Sequence, residues 1–146
     1  VQTCALPISR EFTPLDLATA ITEAAGGLID VTADLVGGAY VAADVLAAAP
    51  GGRVVLIGTL AGGRTDLPIL AVMSKRLTIH GTVLRPRSRD EKAAATAAFT
   101  ADVVPLLATG ALAPIVETVL PLAEAATAYE LLASDATFGK VILDCR

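Results

Sequence analysis

The sequence predicts an α/β fold built on a parallel sheet, and three observations predict it. The first is the stretch Pro50-Gly51-Gly52-Arg53-Val54-Val55-Leu56-Ile57-Gly58, where a turn closes an alanine-rich helical segment and a β-branched run follows. From Arg53 to Ile57 that run has no polar alternation, so both of its faces are expected to be buried, as in parallel strands covered by helices. The second is the alternation of helical and strand-like segments on either side, the pattern of crossover units in a parallel sheet. The third is the stop at Gly58, followed by the Gly-rich loop at 59–63. Ligands of open α/β sheets bind outside the carboxyl ends of the strands, so this loop is the first place to expect a site.

Each element has a local cause. Thr13-Pro14-Leu15-Asp16 is a helix start: Thr13 caps, Pro14 suits the first helical position, and Asp16 meets the free amides. Leu17, Ile21 and Ala24 form the inner face, and Gly26-Gly27 ends the helix. Residues 28–36 read as a strand closed by Gly37-Gly38, and residues 39–49 as the next helix. After the strand at 53–57, residues 67–74 form a short helix and residues 77–84 a third strand. Its polar face (Thr78, His80, Thr82) suits an edge or a strand that pairs with a second subunit. Residues 90–102 are helical with Phe99, Val103, Leu106 and Leu107 as the apolar stripe, and Pro105 forces a kink or a fresh start. The pattern then changes. A strand at 115–120, a helix from Pro121 with Leu122, Ala125, Ala126, Tyr129 and Leu132 inward, and a last strand at 141–143 make a separate unit.

Composition narrows the function classes. The 146 residues are 54% hydrophobic and 3% aromatic, so the core is built from Ala, Val, Leu and Ile. Mean hydropathy is +0.67. The longest uncharged run, residues 103–116, is still too short for a membrane span and is broken by Pro105, Gly110 and Pro114. A net charge of -4 argues against nucleic acid as a main partner. Cys4 and Cys145 make neither a disulfide framework nor a metal cluster, and the default compartment is a reducing cytoplasm. Residues 1–8 read as the translation of a sequencing adapter or as a disordered tail, and are set aside.

Several stretches converge on one family. Asp34-Leu35-Val36-Gly37-Gly38, the run Ala49 through Gly58, Lys75-Arg76-Leu77-Thr78, Thr82 through Ser88, and Phe138-Gly139-Lys140-Val141 occur in this order. Together they resemble the medium-chain dehydrogenase/reductase superfamily, specifically its zinc-free NAD(P)H:quinone oxidoreductase branch. The resemblance implies the C-terminal half of a Rossmann-type doubly wound sheet (residues 9–112), then an α+β return segment of the catalytic domain (residues 113–146). It implies hydride transfer from NADPH, with NADH possible, to a quinone or an activated enone or enal. It also implies a homodimer paired through the strand at 77–84 in a full-length parent. Carried over by position, Val36 and Gly37 lie beside the ribose. Ile57, Gly58 and Thr59 line the nicotinamide side, and Leu84 and Arg85 approach its pocket. Gly139 and Lys140 lie on the loop that closes the cleft. No Gly-x-Gly-x-x-Gly phosphate turn is present, and the family's cofactor-choosing tyrosine falls near Ile8 or Ser9.

No residue is assigned as catalytic and none as a metal ligand. Asp34 orients a ribose hydroxyl or caps the neighbouring helix, and the residues alone leave this open. Arg87 and Arg89 read as a solvated loop, His80 as structural, and Cys145 as a bystander. The alternatives in function are a zinc-type alcohol dehydrogenase, an S-adenosylmethionine-dependent methyltransferase, and an inactive fragment with no activity of its own.

Overall fold

The computed structural model describes residues 12–134 and 136–146, so the readings made on residues 1–8 lie outside the described residues. Two compact units divide between Arg87 and Ser88. The sequence placed its change of character later, at residue 113. The first unit runs α1 (Pro14–Ala25), β1 (Ile29–Asp34), α2 (Ala39–Ala47), β2 (Ala48–Leu56), α3 (Ile69–Lys75), β3 (Thr78–Gly81). Its strands form one parallel sheet in the order β1-β2-β3, with α2 and α3 as the crossovers. The expected α/β parallel architecture is therefore present.

Helix α1 starts as its sequence dictates. The Asp16 amide donates to Thr13 Oγ1 (3.2 Å), and the Thr13 amide donates to Asp16 Oδ2 (3.2 Å), a reciprocal cap. These hydrogen bonds hold the Asp16 carboxyl below the usual range. Leu17 and Ala18 are buried against Ala43 and Ala47 of α2, with Phe12, Ile21, Ile29, Tyr40 and Leu46 packed around them. Ala24, expected on the inner face, is exposed.

Strand β2 differs from the expectation in two ways. It begins at Ala48, ahead of the Pro-Gly-Gly turn. The register jumps from Ile29↔Ala48 to Val31↔Arg53, so residues 49–52 bulge out between the two paired stretches. It is also more deeply buried on one face than on the other. Register partners share a face: Thr32, Val54 and Ile79 on one side, Ala33, Val55 and His80 on the other. Val54 is fully buried, whereas Ala33 and His80 are exposed. Val55 is half-buried, and within this unit α2 and α3 both pack against β2.

The α2–α3 contact is closed by Lys75, whose Nζ donates to the carbonyls of Val45 (3.2 Å), Leu46 (2.6 Å) and Ala48 (2.8 Å). A cation at a helix C-terminus meets the otherwise unpaired last carbonyls.

The second unit runs α4 (Arg89–Asp102), α5 (Val104–Ala108), β4 (Val116–Pro121), a 3₁₀ turn (Leu122–Glu124), α6 (Ala125–Ala133) and β5 (Lys140–Asp144). Ser88 caps α4 in a box with Glu91, and β4 and β5 pair in parallel as their own two-stranded sheet. Its predicted apolar faces are not buried. Phe99, Leu106, Leu107, Tyr129 and Leu132 are exposed, and Ala128 is the buried residue of α6. Helical spacing places these side chains on one stripe of each helix, and they stay exposed although α4 contacts α5 and α6 contacts β4 and β5.

Candidate functional site

The ends of β1 and β2 are locked together by backbone. The amides of Ile57 (2.7 Å) and Gly58 (3.2 Å) both donate to the Asp34 carbonyl. The Ala61 amide donates to the Val36 carbonyl (2.7 Å), and the Gly38 amide to that of Gly62 (2.9 Å). Two glycines make this approach possible. Gly37 has φ +72, and a Cβ there would lie 2.9 Å from the Gly62 carbonyl oxygen. A Cβ on Gly58 would collide with the Leu35 carbonyl. The glycine that the sequence left open to a ligand or to another backbone thus serves a backbone approach. Val36, Gly37, Ile57, Gly58 and Thr59 are brought together by these bonds and by the close approach of Gly37 to the backbone of Gly58 and Thr59.

Asp34 fixes the turn between β1 and Gly37. Its Oδ1 accepts from the amides of Val36 (2.7 Å) and Gly37 (2.9 Å), which decides how that oxygen is used. Its Oδ2 is buried without a partner among the described residues, as are Tyr40 Oη and Asp44 Oδ2. Burial pushes the Asp44 carboxyl up to about 7, with repulsion from Asp34 adding to it. Burial, and then Asp34, raise the Tyr40 phenol. Sequence reasoning passed over Asp44. The available signal was a single charge within the otherwise apolar run Tyr40 to Ala49.

Beyond the strand ends lies a cleft of about 420 Å³, lined by Leu56, Ile57, Gly58, Thr59, Gly81, Thr82 and Val83 and mostly apolar. The Thr82 amide donates to the Leu56 carbonyl (2.9 Å), tying the two walls together. Strand β3 stops at Gly81, earlier than expected, so Thr82 and Val83 face this cleft and were missed. Leu84 and Arg85 follow them on a turn in which the Arg87 amide donates to the Leu84 carbonyl (3.2 Å), and they are not among the lining residues. Gly139 and Lys140 belong to the second unit, where the Lys140 amide donates to the Ile115 carbonyl (2.9 Å) at the start of β5. Arg87, expected to be solvated, folds back: Nη2 donates to Thr82 Oγ1 (2.8 Å) and Nε to the Val83 carbonyl (3.2 Å).

The model of the zinc-binding dehydrogenase family matches residues 11–143. The chain belongs to that family. Solved structures of the same medium-chain dehydrogenase/reductase superfamily resemble it. They include AibC (32% identity, TM-score 0.61, covering 90% of this chain and 34% of that one). A quinone oxidoreductase from Thermus thermophilus, also solved in complex with NADPH, is 31% identical with a TM-score of 0.65 over 87% of this chain and 40% of its own. An NAD-dependent alcohol dehydrogenase is 28% identical with a TM-score of 0.60 over 91% of this chain and 35% of its own. The chain thus spans between a third and two fifths of the length of these structures. A comparison with curated proteins gives no match. Among the described residues, no group of three His, Cys, Asp or Glu side chains is placed to hold a metal ion. No helix among them is long and apolar enough to cross a membrane.

Proposed function

We propose that this chain forms the nicotinamide end of a cofactor site in an oxidoreductase, with NADPH as the cofactor and NADH as the alternative. The observation that carries the reading is the apolar cleft at the carboxyl ends of β2 and β3, bounded by Leu56, Ile57, Gly58 and Thr59 on one wall and by Thr82 and Val83 on the other. Ligand pockets of this kind combine apolar walls with a few backbone polar groups, and the residues present fit a flat, weakly polar ring. Such a cofactor, when bound, supplies the hydride. The protein binds it, orients it and excludes water. Val36 and Gly37 are assigned to the ribose, and Ile57, Gly58 and Thr59 to the nicotinamide. Leu84 and Arg85 are assigned to the same pocket, and Gly139 and Lys140 to the closing loop, by family resemblance.

The hydride acceptor we propose is a quinone or an activated enone or enal, supported by the likeness to the Thermus quinone oxidoreductase. A second reading, an alcohol–aldehyde couple with NAD, draws on the likeness to the NAD-dependent alcohol dehydrogenase. A homodimer of a longer parent through β3 is favoured by that strand's terminal place in the sheet order. An exposed free Cys145 agrees with a reducing cytoplasm.

The test is a titration of the isotope-labelled chain with NADPH and with NADH, followed by NMR. Shifts concentrated at Ile57, Gly58, Thr59, Thr82 and Val83 are expected, larger at equal concentration for the preferred cofactor. Shifts elsewhere, or none, would overturn the reading.

A further inference from the structure

We propose that Arg87 is a positioning residue for this cleft: it staples the segment after β3 so that Thr82 and Val83 stand as a fixed wall opposite Leu56 to Thr59. The inference rests on the cofactor reading above. Thr82 is held from two sides. Its amide donates to the Leu56 carbonyl of β2 (2.9 Å), and its hydroxyl accepts from Arg87 Nη2 (2.8 Å). Val83, itself exposed, has its carbonyl held by Arg87 Nε (3.2 Å). The turn that returns Arg87 to these acceptors is closed by its own amide on the Leu84 carbonyl.

The arrangement suits arginine for a geometric reason. Two acceptors on successive residues match a planar guanidinium that presents Nε and a terminal nitrogen together as a rigid fork, whereas a lysine carries its donors on one freely rotating nitrogen and lacks that fork. Exposed loop segments with few buried contacts open at small free-energy cost, so the staple sets how often this wall is in place. A wall that moves by a fraction of a bond length weakens a ligand whose contacts depend on it. Arg87 acts through Thr82 and Val83, and is not assigned a contact of its own.

Reduced nicotinamide mononucleotide is the probe, followed at the Gly58 amide of the labelled chain, with hydrogen exchange read at the amides of Thr82 and of residue 87, which donate to the Leu56 and Leu84 carbonyls. Arg87→Gln is expected to speed exchange at those two amides by about tenfold and to weaken the probe by about fivefold. Arg87→Lys should recover only part of either effect. Thr82→Val added to Arg87→Gln should weaken binding little further, because the two residues share one interaction. Unchanged exchange in Arg87→Gln, or faster exchange with unchanged affinity, overturns the proposal. The two readings fail differently. If the unsubstituted chain gives no probe-dependent shift at Gly58, the cofactor reading fails and takes the role of Arg87 with it. If the shift is present but indifferent to Arg87, only the staple fails.

Discussion

The two units are both alanine-rich, yet only the first has built an interior. Residues 12–87 contain Leu17, Val41, Val45 and Val54 as buried hydrophobics and interlock two glycine-bearing loops through backbone hydrogen bonds. Residues 88–146 bury Ala128 and leave Phe99, Tyr129, Leu132 and Phe138 exposed. Elements form in both, because caps and hydrogen-bond ladders are local. Burial needs a second layer, and in the second unit that layer is small, α6 lying against a sheet of two strands, β4 and β5. Stability should therefore be concentrated in the first unit and be local in the second.

That contrast can be broken, or sharpened, by substitution. The largest effect is expected from Gly58→Val. Its Cβ would strike the Leu35 carbonyl, which is backbone and cannot swing away. A loss of about 3 kcal/mol or more is expected in denaturant unfolding of the first unit. Near-parental stability would show that the two strand ends are free to separate. Lys75→Met keeps the side-chain volume but strips a cation from three carbonyls. About 2–3 kcal/mol should be lost, with α2 exchanging faster at its C-terminal turn.

Asp44→Asn is expected to stabilise, and only above a certain pH. The folded chain holds the Asp44 proton up to about pH 7, whereas the unfolded value is 3.8. Between these values the folded state binds more protons. Stability from this group is therefore full below the unfolded value, falls as pH rises through about 7, and then levels. A neutral amide at this position carries no such penalty. The melting temperature of the variant should match the parent near pH 4 and exceed it at about pH 8, by a gain on the order of 2 kcal/mol. Equal melting at both pH values would mean that Asp44 is solvated in the folded chain. The smallest effect belongs to the second unit. Ser88→Ala removes one half of the α4 cap, and about 1 kcal/mol of local helix stability should disappear. Hydrogen exchange should register this in α4 while leaving β1 and β2 untouched. Spread of the effect into β1 and β2 would join the two units energetically.

Much of this chain was legible in advance, and the reasons are local ones. Thr13, Pro14 and Asp16 determined where α1 begins, because a cap is made within one turn of the helix. The β-branched run at 53–57 determined a strand, and the alternation of helix and strand determined parallel pairing. The ordered motifs determined the family. The tertiary structure alone decided which face of the sheet is the more deeply buried, since periodicity shows that a run is apolar without showing what lies over it. It alone decided that Gly58 meets the Leu35 carbonyl, that Lys75 reaches carbonyls 27 to 30 positions away, and that Arg87 turns back onto Thr82 and Val83. It also decided that the single charge of α2 is buried. In each case the partner is distant in the chain or the outcome depends on burial, and neither property is carried by the identity or spacing of neighbouring residues.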